Sequence, residues 1–114
     1  MKEVMAIIRP ERWPETKRQL LALGLSSFTV IPVLGRGRQK GLHYYGARAR
    51  RPAVELLAKK LVLLWVSDDA VKWVVEAISD VNRTGQIGDG KIFISPLEDA
   101  IRISTGEAGL PAVG

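Results

Sequence analysis

Three glycines and a lysine fall within eight residues at Thr84-Gly-Gln-Ile-Gly-Asp-Gly-Lys91. Glycine admits positive φ and lets a ligand come close to the backbone. Successive amides in such a turn form an anion-binding nest, and Lys91 adds a full positive charge. A polyphosphate suits this chemistry. Gly85 and Gly90-Lys91 also match the G-x-x-x-x-G-K spacing of a Walker A loop. Two features argue against that loop. Position 92 is Ile where magnesium needs a Ser or Thr hydroxyl, and here a helical pattern precedes the stretch and a strand pattern follows it, the reverse order. The plain alternative is a glycine-rich helix C-cap and turn.

Charge is concentrated elsewhere. The net charge is +5, yet Arg36, Arg38, Lys40, Arg48, Arg50 and Arg51 lie in one segment without an acid, and the rest of the chain carries −1. Such a segment is either a loop reaching an anionic partner or a nucleic-acid-binding arm. The single histidine, His43, lies alone within it, and there is no cysteine, so disulfides and thiolate or His-rich metal sites are excluded. No paired carboxylates and no nucleophile–base set appear, which points to a binding protein rather than an enzyme.

Secondary structure around these residues is legible as period. A chain of 114 residues with 46% hydrophobic and 25% charged residues is one ordinary globular domain, 1–114. No apolar run approaches the roughly 18 residues of a membrane span, and the N-terminus lacks a signal-peptide core, so the chain reads as cytoplasmic. Val4 to Ile8 predicts a buried strand. Trp13-Pro14 opens a helix, with Thr16, Leu20 and Leu23 on its apolar stripe and Gly24 as C-cap. Phe28 to Leu34 predicts a strand, with Pro32 requiring an edge or a bulge.

A long excursion is expected over about 36–52, a length that is usually functional. Val54 to Leu57 is either a helical turn or the excursion's returning arm. Leu61 to Val66 predicts a central strand. Ser67-Asp68-Asp69 is expected to cap a helix whose stripe is Val71, Val74, Val75, Ile78 and Val81, with Trp73 off it. Lys91 to Ser95 predicts the last strand. Strand–helix–strand, loop, strand–helix–strand defines an α+β, ferredoxin-like double βαβ sandwich: a four-stranded antiparallel sheet with both helices on one face. The other face then needs a cover, and an oligomer is the economical one.

Gly35-Arg-Gly-Arg-Gln-Lys-Gly41, Thr84 to Phe93 and Ile101-Arg-Ile-Ser-Thr-Gly-Glu107, with the opening Ala6-Ile-Ile-Arg-Pro10, together resemble the PII nitrogen-regulatory family, in order and spacing, from residue 1 to about 109. The resemblance implies a homotrimer, or a trimer with a paralogous subunit, that binds ATP or ADP between subunits, senses 2-oxoglutarate and docks on targets through its long loop. Carried over, it places Gly37, Arg38, Gly88, Asp89, Gly90, Lys91 and Arg102 near the phosphates, and Thr29 and Thr84 near adenine and ribose. Arg9, Gln39, Lys40, Gly41 and Lys59 would meet 2-oxoglutarate, with Gln39 also a ligand of Mg2+ shared with ATP. Leu42, His43, Tyr44, Tyr45, Arg48, Arg50 and Arg51 would face the target.

Three departures qualify the carry-over. Ser104 stands where the family usually has a second arginine. Arg51 occupies the position of the tyrosine that many relatives uridylylate, and modification does not transfer to Tyr44 or Tyr45. The tail, about 104–114, ends Leu110-Pro-Ala-Val-Gly114 in place of a more acidic sequence. Met1 to Pro10, Val33 to Gly41 and Asp80 to Gly90 are similar to the branch encoded beside nitrogenase genes, which implies dinitrogenase as target. Ammonium transport or glutamine synthetase is the alternative target. A nucleic-acid-binding module of the same fold is the rival outside the family. It lacks the K/R-G-F/Y signature, so no nucleic acid is expected.

Overall fold

The computed structural model describes residues 1–36 and 56–113. In chain order these form β1 (Lys2–Ile8), α1 (Trp13–Ala22), β2 (Thr29–Gly35), β3 (Leu57–Val66), α2 (Val71–Asn82), β4 (Lys91–Pro96) and a short α3 (Leu110–Val113). Single 3-10 turns, Pro10–Arg12 and Asp68–Ala70, lead into α1 and α2. The sheet runs β2-β3-β1-β4 with every pair antiparallel, the ferredoxin-like arrangement.

The strand period of two sorts the side chains. Val4, Ala6 and Ile8 of β1 and Val62, Leu64 and Val66 of β3 point to one face, where they pack with Leu20 of α1 and Val74 and Ile78 of α2 as a single core. Full burial of such a Val, Leu or Ile side chain is worth about 1.5–3 kcal/mol. Trp13 and Phe28 meet edge-to-face, with ring centroids 5.3 Å apart, beside this core. Register puts Met5, Ile7, Leu61, Leu63, Ile31 and Phe93 on the opposite face, which no described helix covers.

Pro32 lies in β2, an edge strand, as its missing N–H requires. Two strands begin earlier than their apolar runs. β3 starts at Leu57, because Leu57–Lys60 pair with Pro32–Gly35 of β2, a backbone reason that Lys59 and Lys60 conceal in the hydropathy pattern. β1 starts at Lys2, paired on both sides with Val66 and Pro96. Leu57 is therefore strand, and residues 54–55 lie outside the described residues.

The expected Gly24 cap is a Schellman motif. The Gly24 N–H donates to the Leu21 carbonyl and the Leu25 N–H to the Leu20 carbonyl, both at 3.0 Å, with Gly24 at φ +84°. This reversal swings Leu23 off the predicted stripe into solvent and brings Leu25 against the core instead. The Ser67-Asp68-Asp69 cap is also corrected: Ser67 makes no side-chain capping bond, and Asp68 accepts an ion pair from the Met1 amino group at 2.9 Å. That contact holds the Asp68 carboxyl below its usual range.

Candidate functional site

The turn after α2 is held from three directions. Gly85, Gly88 and Gly90 take φ of +82°, +105° and +107°, as the glycine reading requires. Gly90 has a second constraint, because a Cβ there would lie 1.9 Å from the carbonyl oxygen of Ile7. Its lack of a side chain lets the turn lie directly against β1. The turn follows the C-terminus of α2, so it lacks the favourable dipole that a Walker A loop draws from a helix N-terminus. Attraction for an anion must come from side-chain cations and the turn's own amides.

Asp89 sits inside the turn. Its carboxylate accepts from the Thr84 N–H at 2.7 Å, the Gly85 N–H at 3.0 Å and the Thr84 hydroxyl. The Thr84 hydroxyl in turn accepts the Gln86 N–H at 3.1 Å. The amides at 84, 85 and 86 are thus engaged internally. These bonds and Arg9 hold the Asp89 carboxyl well below the usual range. Arg9, at the end of β1, donates from Nη1 to Asp89 Oδ1 at 2.8 Å and from Nη2 to the Ile87 carbonyl at 3.1 Å. Lys59 of β3 donates from Nζ to the Gly88 carbonyl at 3.2 Å.

Between this turn, the end of β2 and the open sheet face lies a cavity of about 550 Å3. Arg36, Lys59 and Lys91 line it with Gly88, Gly90 and Phe93, and among the described residues Asp89 is the one acid in the lining. Burial first, then the neighbouring Arg9 charge, pushes the Lys59 ammonium below its usual pKa. Two cations pressed together in a partly dry site gain stability when an anion joins them. The volume is that of a small-ligand pocket.

Seven of the residues expected at the ligands come together here: Arg9, Lys59, Thr84, Gly88, Asp89, Gly90 and Lys91. Thr29 and Arg102 do not. Thr29 is on β2 at one sheet edge and Lys91 on β4 at the other, three strand spacings or roughly 14 Å apart. Arg102 lies in the turn bracketed by the Ile101–Ala108 bridge, where it donates to the Pro111 carbonyl at 3.1 Å. Gly37, Arg38, Gln39, Lys40 and Gly41, and the target-facing Leu42, His43, Tyr44, Tyr45, Arg48, Arg50 and Arg51, lie outside the described residues.

Two residues that the sequence did not single out support the site. Asn82, the last residue of α2, is buried, and its Nδ2 donates to Thr16 Oγ1 at 3.0 Å and to the Ile78 carbonyl at 2.9 Å. Thr16 donates onward to the Arg12 carbonyl at 2.7 Å. This chain ties α2 to α1 immediately before the turn. A polar residue at the end of an apolar stripe was its only trace. Arg36 also lines the cavity, and it had been counted only among the loop charges. Among the described residues no helix is long and apolar enough to cross a membrane, and no group of three or more His, Cys, Asp or Glu side chains could hold a metal.

The class this architecture defines is a ferredoxin-like sandwich with a cation-lined glycine turn at one end of its sheet. The model of the family Nitrogen regulatory protein P-II matches residues 1–107. The chain is 45% identical over 121 aligned positions to Nitrogen fixation nifHD region GlnB-like protein 2 of Methanobacterium ivanovii, covering 99% of each chain. It is 48% identical to Nitrogen regulatory protein P-II 2 of Methanothermobacter thermautotrophicus, covering 99% of this chain and 97% of the relative. Identity to Nitrogen regulatory protein P-II of Cereibacter sphaeroides is also 48%, covering 99% and 100%. The chain belongs to the P-II family. It is a nitrogen regulatory protein of that type, with nifHD-region proteins among its relatives.

Proposed function

We propose that this P-II protein senses adenine nucleotide and 2-oxoglutarate and passes their occupancy to a target through the segment 36–52. The observation that carries the reading is the meeting of Arg9, Lys59, Lys91 and Arg36 around a turn with three positive-φ glycines. ATP or ADP phosphates lie against Gly88, Gly90 and Lys91, and 2-oxoglutarate engages Arg9 and Lys59 by charge-assisted bonds. Thr29 and Arg102 serve the same nucleotide from a second copy of the chain, because within one copy Thr29 lies across the sheet from Lys91. A homotrimer closed over the uncovered sheet face meets this need, burying Ile7, Leu61, Leu63 and Phe93.

Asp89 is committed to Thr84, Gly85 and Arg9, so it is no candidate for the metal. Magnesium would be held by Gln39 with nucleotide and 2-oxoglutarate oxygens, in keeping with its habit of binding through substrate phosphates. Ligands that share one site raise each other's affinity by the same factor.

Post-translational control of nitrogenase is the target reading favoured by the nifHD-region relatives. Control of ammonium transport or glutamine synthesis is the alternative reading. The 121 aligned positions with the Methanobacterium protein exceed this chain's 114 residues, so that relative has residues lacking here, whereas the Cereibacter alignment spans 113. Calorimetric titration of 2-oxoglutarate with and without Mg-ATP tests the sensor. Binding only in the presence of Mg-ATP is expected, and Gln39→Ala should remove it while sparing ATP. No nucleotide binding at all would overturn the reading. Co-sedimentation with purified dinitrogenase, reversed by 2-oxoglutarate, tests the target.

A further inference from the structure

Arg9 joins two jobs. The resemblance gives it to an effector carboxylate, yet in this structure its guanidinium faces the nucleotide turn and grips it at two points, Asp89 Oδ1 at 2.8 Å and the Ile87 carbonyl at 3.1 Å. These contacts cross 80 and 78 residues of sequence, so they fix the turn relative to β1 and not merely within itself. Asp89 passes the restraint on. The same carboxylate that Arg9 holds orders the Thr84 and Gly85 amides, and its Oδ1 receives both Arg9 Nη1 and the Thr84 hydroxyl. Lys59 takes the adjacent Gly88 carbonyl from β3. Every one of these bonds involves a charged partner, the stronger class of hydrogen bond. None uses a phosphate.

We infer that Arg9 is a positioning residue for nucleotide binding, acting through Asp89 to hold the 84–90 turn against β1 whether or not an effector is present. The inference rests on the nucleotide reading above. It extends it, because a lesion at Arg9 then weakens both ligands, and the effector and the turn draw on one guanidinium.

The test uses ADP without magnesium and without 2-oxoglutarate, so that no effector-site contact contributes. Arg9→Gln should weaken ADP binding about tenfold, with the thermal midpoint little changed. Arg9→Lys keeps the charge but not the two-point grip, and should recover part of the loss. Asp89→Asn should weaken ADP to a similar degree, and the double variant should lose little more than either single one. Amide exchange of Thr84 and Gly85, measured by NMR, should quicken in Arg9→Gln without any ligand. ADP affinity within twofold of wild type in Arg9→Gln, or fully additive losses in the double variant, would overturn the inference. Should the wild-type chain bind no ADP, the nucleotide reading fails, and unchanged exchange at Thr84 and Gly85 in Arg9→Gln would overturn the brace separately.

Discussion

Two glycine-punctuated turns of similar composition meet different fates in this molecule. The turn at 84–90 is completed by its own chain: Asp89 fills it, Arg9 and Lys59 tie it to two strands, and Gly90 seats it on the Ile7 carbonyl. The turn at 100–109 also carries positive-φ glycines, Gly106 and Gly109, and a cation, Arg102. Its recorded backbone bonds are short-range, including Gly106 N–H to the Arg102 carbonyl at 2.7 Å and Arg102 N–H to the Glu107 carbonyl at 2.8 Å. At its tip Ile103 is 99% exposed. The first turn is braced by residues distant in its own sequence. The second presents an apolar tip beside a cation, and the proposed trimer would use it as a contact between copies.

The contrast breaks most visibly at Gly90. Gly90→Ala would force a Cβ into backbone and strain a positive φ, so a loss of about 3 kcal/mol and a fall in the thermal midpoint of roughly 10 °C are expected. Calorimetric melting measures it, and Gly106→Ala, with nothing within 4 Å of its Cβ, should cost clearly less. Lys91→Ala, at an exposed strand start, should leave the melt intact and reduce ATP affinity more than tenfold by titration. Unchanged affinity would remove Lys91 from the site.

Ile103→Asp should leave the fold untouched, as fully exposed positions usually do, and weaken self-association in sedimentation velocity. An unaltered sedimentation coefficient would deny the second turn its role.

The smallest effect concerns pH. A carboxyl whose folded pKa is depressed stabilises fully above its unfolded value, near 4, and loses that contribution as pH falls through the folded value. The urea-midpoint gap between wild type and Asp89→Asn should therefore hold constant from pH 8 to about 5 and narrow only below about 4. A gap that closes near neutrality would show that Asp89 is not held as described.

Much of the fold was legible because period survives in the sequence. Val71, Val74, Val75 and Ile78 announce a helix face, and Pro32 announces an edge. What misled was local. Leu23 fits the helical spacing, but the Gly24 reversal gives its place to Leu25. Ser67-Asp68-Asp69 has the residues of a cap, and a distant amino group took Asp68 instead. Within the site, Thr84, Gly88, Asp89, Gly90 and Lys91 are legible as one turn, whereas the bonds by which Asp89 ties that turn to Arg9 are not.

Element order, the glycine turn, the gathering of basic residues over 36–51 and the family can all be read along the chain, since each depends on residues near one another or on motifs in fixed order. Tertiary structure alone decided that Arg9 reaches Asp89, that Lys59 reaches Gly88, and that Thr29 and Lys91 stand on opposite edges of one sheet. Those outcomes depend on strand order and register. A sheet places residues 80 apart within hydrogen-bonding distance and residues on its two edges beyond reach of each other, and no local pattern records which strand lies beside which.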